Sequence, residues 1–363
     1  ITRKTGRLIV NTILLCDAYK YTHWLQYPKN TTKVYGYVEA RGTKISISYN
    51  VFFGLQGFIK DYLEGVVIEE WMIDEAKDLL GEVFGTDKYF NEAGFRLLLT
   101  RHGGKLPIKI RAVEEGKRVG IKNVLVTIEN TDPDFPWLVQ WLETMLLRAI
   151  WYPTGVASVA SAVREIEKKY AKICGCGLNP FFLNDFGARG VSSHESAEIG
   201  GSAVLTTYLG TDTVEAIRWA KWRYGKSACG YSVFASEHST TTIYGKAREL
   251  VAYTNFLTAA PLDKIVSIVI DSYDDVNAVT NLLGGALKNR ILNVRTAPTV
   301  FRPDSGNPVD KSLEIVSLLW SIFGGTLNEN GFKGLNPKVR VIYGDGINLN
   351  TIDEICNNLV VNG

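Results

Sequence analysis

Between residues 264 and 346 one pattern recurs three times, and it restricts the possible folds more than anything else in the chain. An apolar, β-branched run ends in an acidic residue, and small or turn-forming residues follow. The runs cover residues 265–270, 299–301 and 339–343. They lead into Asp271-Ser-Tyr-Asp274, Arg302-Pro-Asp-Ser-Gly-Asn-Pro308 and Gly344-Asp-Gly346. Strands of a parallel sheet are covered on both faces, so they read as continuous apolar runs, and α/β enzymes carry their chemistry at the carboxyl ends of such strands. Helical spacing over residues 274–283 and 310–322 separates the runs, as βαβ alternation requires. The expected class is α/β, with a polar floor lined by carboxylates.

The first part of the chain has a different texture. After the apolar stretch 8–10 comes a polar and aromatic segment, Asp17-Ala-Tyr-Lys-Tyr-Thr-His23. Alternation over residues 33–41 predicts a half-buried strand, and residues 105–130 read as antiparallel strands of a small β-rich module. Helical spacing covers 52–63 and 69–80. An apolar helix is expected over 137–149, stopped near Pro153, with another over 156–171. Beyond it we expect a strand at 181–183, helices at 194–208 and 213–224, a strand at 231–234 and a helix at 239–254. This divides the chain into an N-terminal α+β module, residues 1–145, and an α/β domain, residues 146–363.

The 40 basic residues against 38 acidic ones give no bulk attraction to nucleic acid or to an acidic membrane. No apolar run is long enough to cross a bilayer, because Met145-Leu-Leu147 is cut by Arg148 and ended by Pro153. The first residues lack the apolar core of an export signal, although a chain beginning at Ile1 could have lost a leader. Five scattered cysteines read as free thiols of a reducing, cytoplasmic compartment, and Cys174-Gly-Cys176 has the wrong spacing for a zinc knuckle. Familiar phosphate loops are absent: Gly225-Lys-Ser227 is preceded by Ala220 where a nucleoside-triphosphate loop needs Gly, and no strand leads into G-x-G-x-x-G. A zinc-protease motif at His194-Glu195 would need His where Glu198 stands.

What remains is a mixed set at strand ends: Asp185, Arg189, Asp212, Glu237, His238, Asp271, Asp274, Arg302, Asp304 and Asp345. The planar fork of arginine matches phosphate oxygens, and carboxylates hold ribose hydroxyls or stabilise developing positive charge. The set therefore suits a sugar phosphate or pyrophosphate. Taken singly, each Asp is equally well a turn or cap residue. The segment 302–308 is harder to explain that way, since Pro303, Gly306 and Pro308 fix its backbone and Arg302 stands where a strand should still be apolar. His238 opens a helix rich in hydroxyls, a place that attracts anions, though a structural histidine is the default reading.

In order along the chain, Asp17-Ala-Tyr-Lys with His23 and Gln26-Tyr-Pro28, Asp185-Phe-Gly-Ala-Arg-Gly-Val-Ser-Ser193, Gly210-Thr-Asp-Thr213, Gly230-Tyr-Ser-Val233 with Glu237-His-Ser239, Asp271-Ser-Tyr-Asp274, Arg302-Pro-Asp-Ser-Gly-Asn-Pro308 and Gly344-Asp-Gly346 resemble the nicotinamide phosphoribosyltransferase family. The resemblance runs from about residue 8 to the last residue. It implies a type II phosphoribosyltransferase: an irregular α/β barrel with a β-rich N-terminal module, acting as a homodimer with shared active sites. The implied substrates are nicotinamide and 5-phosphoribosyl 1-pyrophosphate with Mg²⁺; no nucleic acid and no membrane is involved.

By the same resemblance, Phe186 stacks one face of the pyridine ring and Tyr19 of the partner subunit the other. Asp212 accepts the carboxamide N–H, and Arg302 with Pro303 holds the ring end. Asp304, Gly344 and Asp345 meet the ribose and its phosphate. Arg189, His238 and Arg41 of the partner subunit face the phosphates. His238 matches a histidine that ATP phosphorylates as an activating step, and Asp271 and Asp304 suit the cationic side of the reaction. No protein ligand set for the metal is implied. A carboxylate at 212 facing nicotinate would set two anions together, which favours the amide over the acid.

Two positions depart from the family pattern, Asn184 in place of His and Ala188 in place of Tyr. The family also continues past the point matching Gly363 into a glycine-rich phosphate loop, so this chain is expected to be truncated in its C-terminal domain. The alternatives are a nicotinate phosphoribosyltransferase, or a non-catalytic ligand-binding subunit that takes its phosphate loop from a second chain.

Overall fold

In the computed structural model, which describes residues 10–227 and 229–363, the alternating segment near residue 35 forms the strand Tyr35–Glu39. Leu8 and Ile9 of the N-terminal apolar stretch lie outside the described residues. Tyr35–Glu39 and Ile108–Ala112 flank the central strand Val124–Asn130, and both pair with it antiparallel. Along the central strand Val126 and Ile128 are buried while Thr127 and Glu129 are partly open, the period of two expected when one sheet face is covered. The covering elements are the helices Glu70–Phe84, Glu92–His102 and Leu138–Trp141, with Ile73, Leu98, Phe135 and Leu142 fully buried.

This sheet lies in the first of two units, residues 1–161 with 185–230. The second comprises residues 162–184 with 231–363. Its core is a four-stranded parallel sheet in the order Val339–Val341, Thr299–Arg302, Val266–Val269, Phe234–Ala235. Thr299 aligns with both Val266 and Val339, so the three strands end level with one another. Val266, Ile268, Phe301 and Val339 are fully buried under Leu283, Ile315 and Leu319. The helix Pro308–Phe323 starts as its sequence dictates, with Pro308 in the first turn and the Asn307 side chain accepting from the Val309 and Asp310 amides at 2.9 and 3.2 Å. The irregular α/β architecture and the β-rich N-terminal part are both as expected from the sequence.

Several local expectations fail, each for a physical reason. No helix stops at Pro153: Glu143–Cys174 runs through it unbroken. An interior proline costs a helix about 3 kcal/mol through its missing N–H and its clash with the preceding turn. Here the ring packs on Gly54, where an added Cβ would come within 2.3 Å of Pro153 Cγ. One turn is also clamped to the segment carrying Phe53, since Thr154 Oγ1 donates to the Phe53 carbonyl and accepts from its amide, both at 3.2 Å. Tertiary packing outweighs the local penalty.

Residues 181–183 form no strand; Phe181 and Phe182 are exposed, and extended pairing starts at Asn184–Asp185. The next strand is likewise displaced from 231–234 to Phe234–Ala235. The helix expected over 239–254 is two helices, His238–Thr242 and Glu249–Ala259, because Gly245 takes φ +76° between them. After Asp275–Asn277 the chain adopts the wider π-type winding over Ala278–Ala286, where Gly284 would bring a Cβ to 2.3 Å from the Val279 carbonyl.

Candidate active site

In the second unit the level ends of the parallel strands deliver side chains to one place. Val266–Val269 leads to Asp271, whose side chain is only 5% exposed. One carboxylate oxygen, Oδ1, lies 3.2 Å from Nε2 of His238. The other, Oδ2, accepts from the Asp304 amide at 3.0 Å and from the Ser305 hydroxyl at 2.5 Å. Arg302, at the end of the adjacent strand, places Nη2 2.8 Å from Asp304 Oδ1. Gly344 closes the group: a Cβ there would lie 2.8 Å from Asp304 Oδ1 and 3.0 Å from Arg302 Nη2. His238, Asp271, Arg302, Asp304 and Gly344 are thus brought together, and buried Pro303 fixes the turn between Arg302 and Asp304.

Supports surround this cluster. Tyr343 donates its hydroxyl to the Gly306 carbonyl at 2.8 Å and so pins the loop after Ser305. Burial pushes the Tyr343 phenol above its ordinary pKa, and the negative charges of Asp345, Asp271 and Asp304 add to the effect. Asp345 is exposed beyond Gly344. His238 is half exposed at the start of its short helix, where Glu237 and Thr240 form a reciprocal capping box. Asp274, one of the sequence candidates, is the plain cap residue of the alternative reading, accepting from the Asn277 amide at 2.8 Å.

In the first unit the organising group is Asp185. Its Oδ2 accepts from the hydroxyls of Thr213 and Thr211 at 2.7 and 3.3 Å, and its Oδ1 accepts from the Gly187 amide at 2.8 Å. Its carbonyl accepts from the Asp212 amide at 2.9 Å, which sets Asp212 beside the segment carrying Phe186 and Arg189. Gly201 leaves room for the carboxylate, since a Cβ there would stand 3.0 Å from Asp185 Oδ2. Phe186 is half-buried, whereas Asp212 and Arg189 are exposed, the latter on the turn Gly187–Gly190. Tyr19 is exposed on the 3₁₀ helix Ala18–Leu25, edge-on to His23 at 5.2 Å, and Arg41 is exposed just beyond Tyr35–Glu39. Asn184 turns its amide to the Phe181 carbonyl at 3.1 Å.

Reasoning from sequence assigned no role to Ser305 or Tyr343, and named Asp185 without one. The only signal for Ser305 was its place inside the constrained 302–308 segment. Among the described residues no group of three or more His, Cys, Asp or Glu side chains could hold a metal ion. In chemical terms, the second unit offers a fixed carboxylate pair, a guanidinium and an imidazole, suited to a charged sugar phosphate; the first offers an aromatic face and an acceptor for an amide.

Comparison with known proteins places the chain among phosphoribosyltransferases. The family described as nicotinamide phosphoribosyltransferase, N-terminal domain, matches residues 11–110, and the nicotinate phosphoribosyltransferase family matches residues 181–363. A nicotinamide phosphoribosyltransferase of Xanthomonas campestris pv. campestris is 44% identical over 97% of this chain and 74% of its own length. One from Mycoplasma genitalium is 32% identical over 98% of this chain and 82% of its own. Among solved structures, human nicotinic acid phosphoribosyltransferase superposes with a TM-score of 0.61 at 17% identity, covering 91% of this chain and 72% of the human one. Nicotinate-nucleotide pyrophosphorylase from Pyrococcus furiosus gives 0.60 at 14%, covering 98% and 72%. At such identities these two establish the shared fold.

Proposed function

This chain belongs to the nicotinamide phosphoribosyltransferase family, and we infer that it joins nicotinamide to 5-phosphoribosyl 1-pyrophosphate, giving nicotinamide mononucleotide and pyrophosphate. The observation that carries this reading is the 44% identity to such an enzyme along 97% of the chain. It is supported by the strand-end cluster around Asp271.

Breaking the bond between ribose and pyrophosphate builds an oxocarbenium-like centre and a departing anion. No side-chain nucleophile is needed; holding the reactants and stabilising charge suffices. Asp304 and Asp271 supply negative charge on the cationic side, with Asp271 also orienting His238. Arg302, with Pro303 fixing its loop, holds the ring end. Gly344 and Asp345 approach the ribose and its phosphate, and Arg189 faces the departing phosphates. Mg²⁺, held by the pyrophosphate oxygens of the substrate itself, would neutralise part of their charge.

Phe186 stacks on the pyridine ring, and Asp212 accepts the carboxamide N–H. A nicotinate carboxylate in that position meets like charge, so the amide is the preferred substrate. As a homodimer the enzyme completes the stack with Tyr19 of the partner subunit and a phosphate contact with Arg41 of the partner subunit. His238 is assigned as the acceptor of the γ-phosphoryl group of ATP: a bond from ring nitrogen to phosphorus forms as the bond to the β,γ-bridging oxygen breaks, and ADP leaves. The tautomer that gives Nε2–H to Asp271 leaves the lone pair of Nδ1 as the acceptor. No helix among the described residues is long and apolar enough to cross a membrane, and the free thiols fit work in the cytoplasm.

The test is turnover by the purified protein with phosphoribosyl pyrophosphate, Mg²⁺ and either nicotinamide or nicotinate, with and without ATP. Nicotinamide mononucleotide, made faster when ATP is present, is the expected product. Preferential use of nicotinate would overturn the role given to Asp212.

A further inference from the structure

We propose that Ser305 is a positioning residue that acts through Asp271 on His238; the inference rests on the phosphoribosyl-transfer reading above. The argument begins with the freedom of an aspartate. Its terminal torsion is broad and nearly two-fold, so a carboxylate held by a single donor does not present its second oxygen in a fixed direction. Asp271 must do so, because Oδ1 is the oxygen facing His238 Nε2 at 3.2 Å. Two donors converge on the opposite oxygen, the Asp304 amide at 3.0 Å and the Ser305 hydroxyl at 2.5 Å. Together they define the carboxylate plane; both bonds are charge-assisted, and the hydroxyl, at 2.5 Å, lies at the short end for an O–H donor to a carboxylate.

Ser305 is itself well placed to hold this position. It sits between Asp304, tied to Arg302 at 2.8 Å, and Gly306, whose carbonyl takes the Tyr343 hydroxyl at 2.8 Å. Gly306 has φ +91°, a conformation that glycine adopts without strain, so the chain turns directly after Ser305. The loop bearing Arg302 and Asp304 and the helix start bearing His238 therefore share one carboxylate. Ser305 is exposed, so its hydroxyl adds little to the core, and a purely structural role would leave catalysis unchanged on its removal.

The experiment compares Ser305→Ala with Ser305→Thr, which keeps the hydroxyl. For the alanine variant we expect kcat/KM for phosphoribosyl pyrophosphate to fall about tenfold to a hundredfold at nearly unchanged thermal stability. Threonine should recover most of that loss. Independently of turnover, the ring nitrogens of His238, one of four histidines in the chain, are read by ¹⁵N NMR. The Nε2–H signal bonded to Asp271 should shift or broaden in Ser305→Ala and return in Ser305→Thr. An alanine variant with the wild-type ring signal and wild-type kinetics would overturn the proposal, and so would a threonine variant that behaves like alanine. If the wild type itself forms no mononucleotide, the functional reading fails, and the ring signal alone decides whether Ser305 orients His238.

Discussion

The Asp271 carboxylate and the His238 imidazole, 33 residues apart in sequence, lie 3.2 Å from each other, with the acid buried and the ring half exposed. That asymmetry makes Asp271 the fixed member of the pair and leaves His238 the open one. Asp271→Asn keeps the size but replaces one acceptor oxygen with a donor and removes the charge. We expect kcat/KM to fall by about a hundredfold or more. Steady-state kinetics beside a thermal melt will check this; a loss below threefold would remove Asp271 from the mechanism.

Gly344 owes its place to crowding rather than to an unusual backbone angle. A methyl group there meets Asp304 Oδ1 at 2.8 Å and Arg302 Nη2 at 3.0 Å. Gly344→Ala should therefore prise the Asp304–Arg302 pair apart and destabilise the protein by about 1–3 kcal/mol. KM for phosphoribosyl pyrophosphate should rise while KM for nicotinamide moves little. Substrate-variation kinetics separates the two.

Asp212 is assigned the choice between amide and acid. In Asp212→Asn the ratio of kcat/KM for nicotinamide over nicotinate should drop about tenfold to a hundredfold, the size of one hydrogen bond to a charged group. Competition between the two substrates in one reaction measures the ratio directly. An unchanged ratio would move the selectivity elsewhere.

Gly54 and Pro153 form a stability pair in the first unit. Gly54 has φ +106°, and a Cβ there would come within 2.3 Å of Pro153 Cγ and 2.8 Å of the Ala149 carbonyl. Gly54→Ala should lower the unfolding free energy by about 2–4 kcal/mol, from backbone strain and overpacking combined. Adding Pro153→Ala relieves only the contact with the ring. A double-mutant cycle in denaturant should show a coupling of about 1 kcal/mol, with the rest of the penalty remaining.

Glu249 is buried, accepts from the Tyr253 hydroxyl at 2.9 Å, and has its pKa raised above 4.5, first by burial and then by the charge of Asp274. The folded state therefore holds this proton more tightly than the unfolded chain does. As pH rises from the unfolded pKa to the folded one, wild-type stability declines on account of this group, and above the folded pKa the loss is constant. Glu249→Gln keeps an acceptor for Tyr253 but does not titrate. Its stability relative to wild type should rise across that window and then level off, which denaturant unfolding at a series of pH values will show.

Much of this was legible in the sequence, for reasons particular residues make clear. Val266–Val269 is buried at every position, and Phe301 and Val339 share the covered face of Val266 and Ile268, so these runs had to be apolar, and the polar residues that end them had to lie at strand ends. The segment 302–308 stood out because Arg302 interrupts an apolar run. Pro153 misled, because the groove at Gly54 that accepts its ring lies far away in sequence. Gly245 gave no warning, since one glycine within a helical pattern is ordinary; its positive φ appears only in three dimensions. Ser305 was unreadable for the same reason: its partner is 34 residues distant, and no local spacing records that bond. Asp185 was named from the sequence as a strand-end candidate, but its organising role shows only in the two threonines and the amide that converge on it.

The level register of the parallel strands also bears on how the chain reaches this state. Thr299 must find both Val266 and Val339, and the contacts that build the cluster, His238 to Asp271 and Asp271 to the Asp304 amide, each span 33 residues. Such pairings cannot form in a local hairpin; large loops must close before the first of them yields any stabilisation, which makes parallel sheets slow to nucleate. Asp271 consequently acquires its partners only as the sheet completes. During refolding, the binding of substrate should return with the slowest phase, well after the helices have regained their signal in circular dichroism.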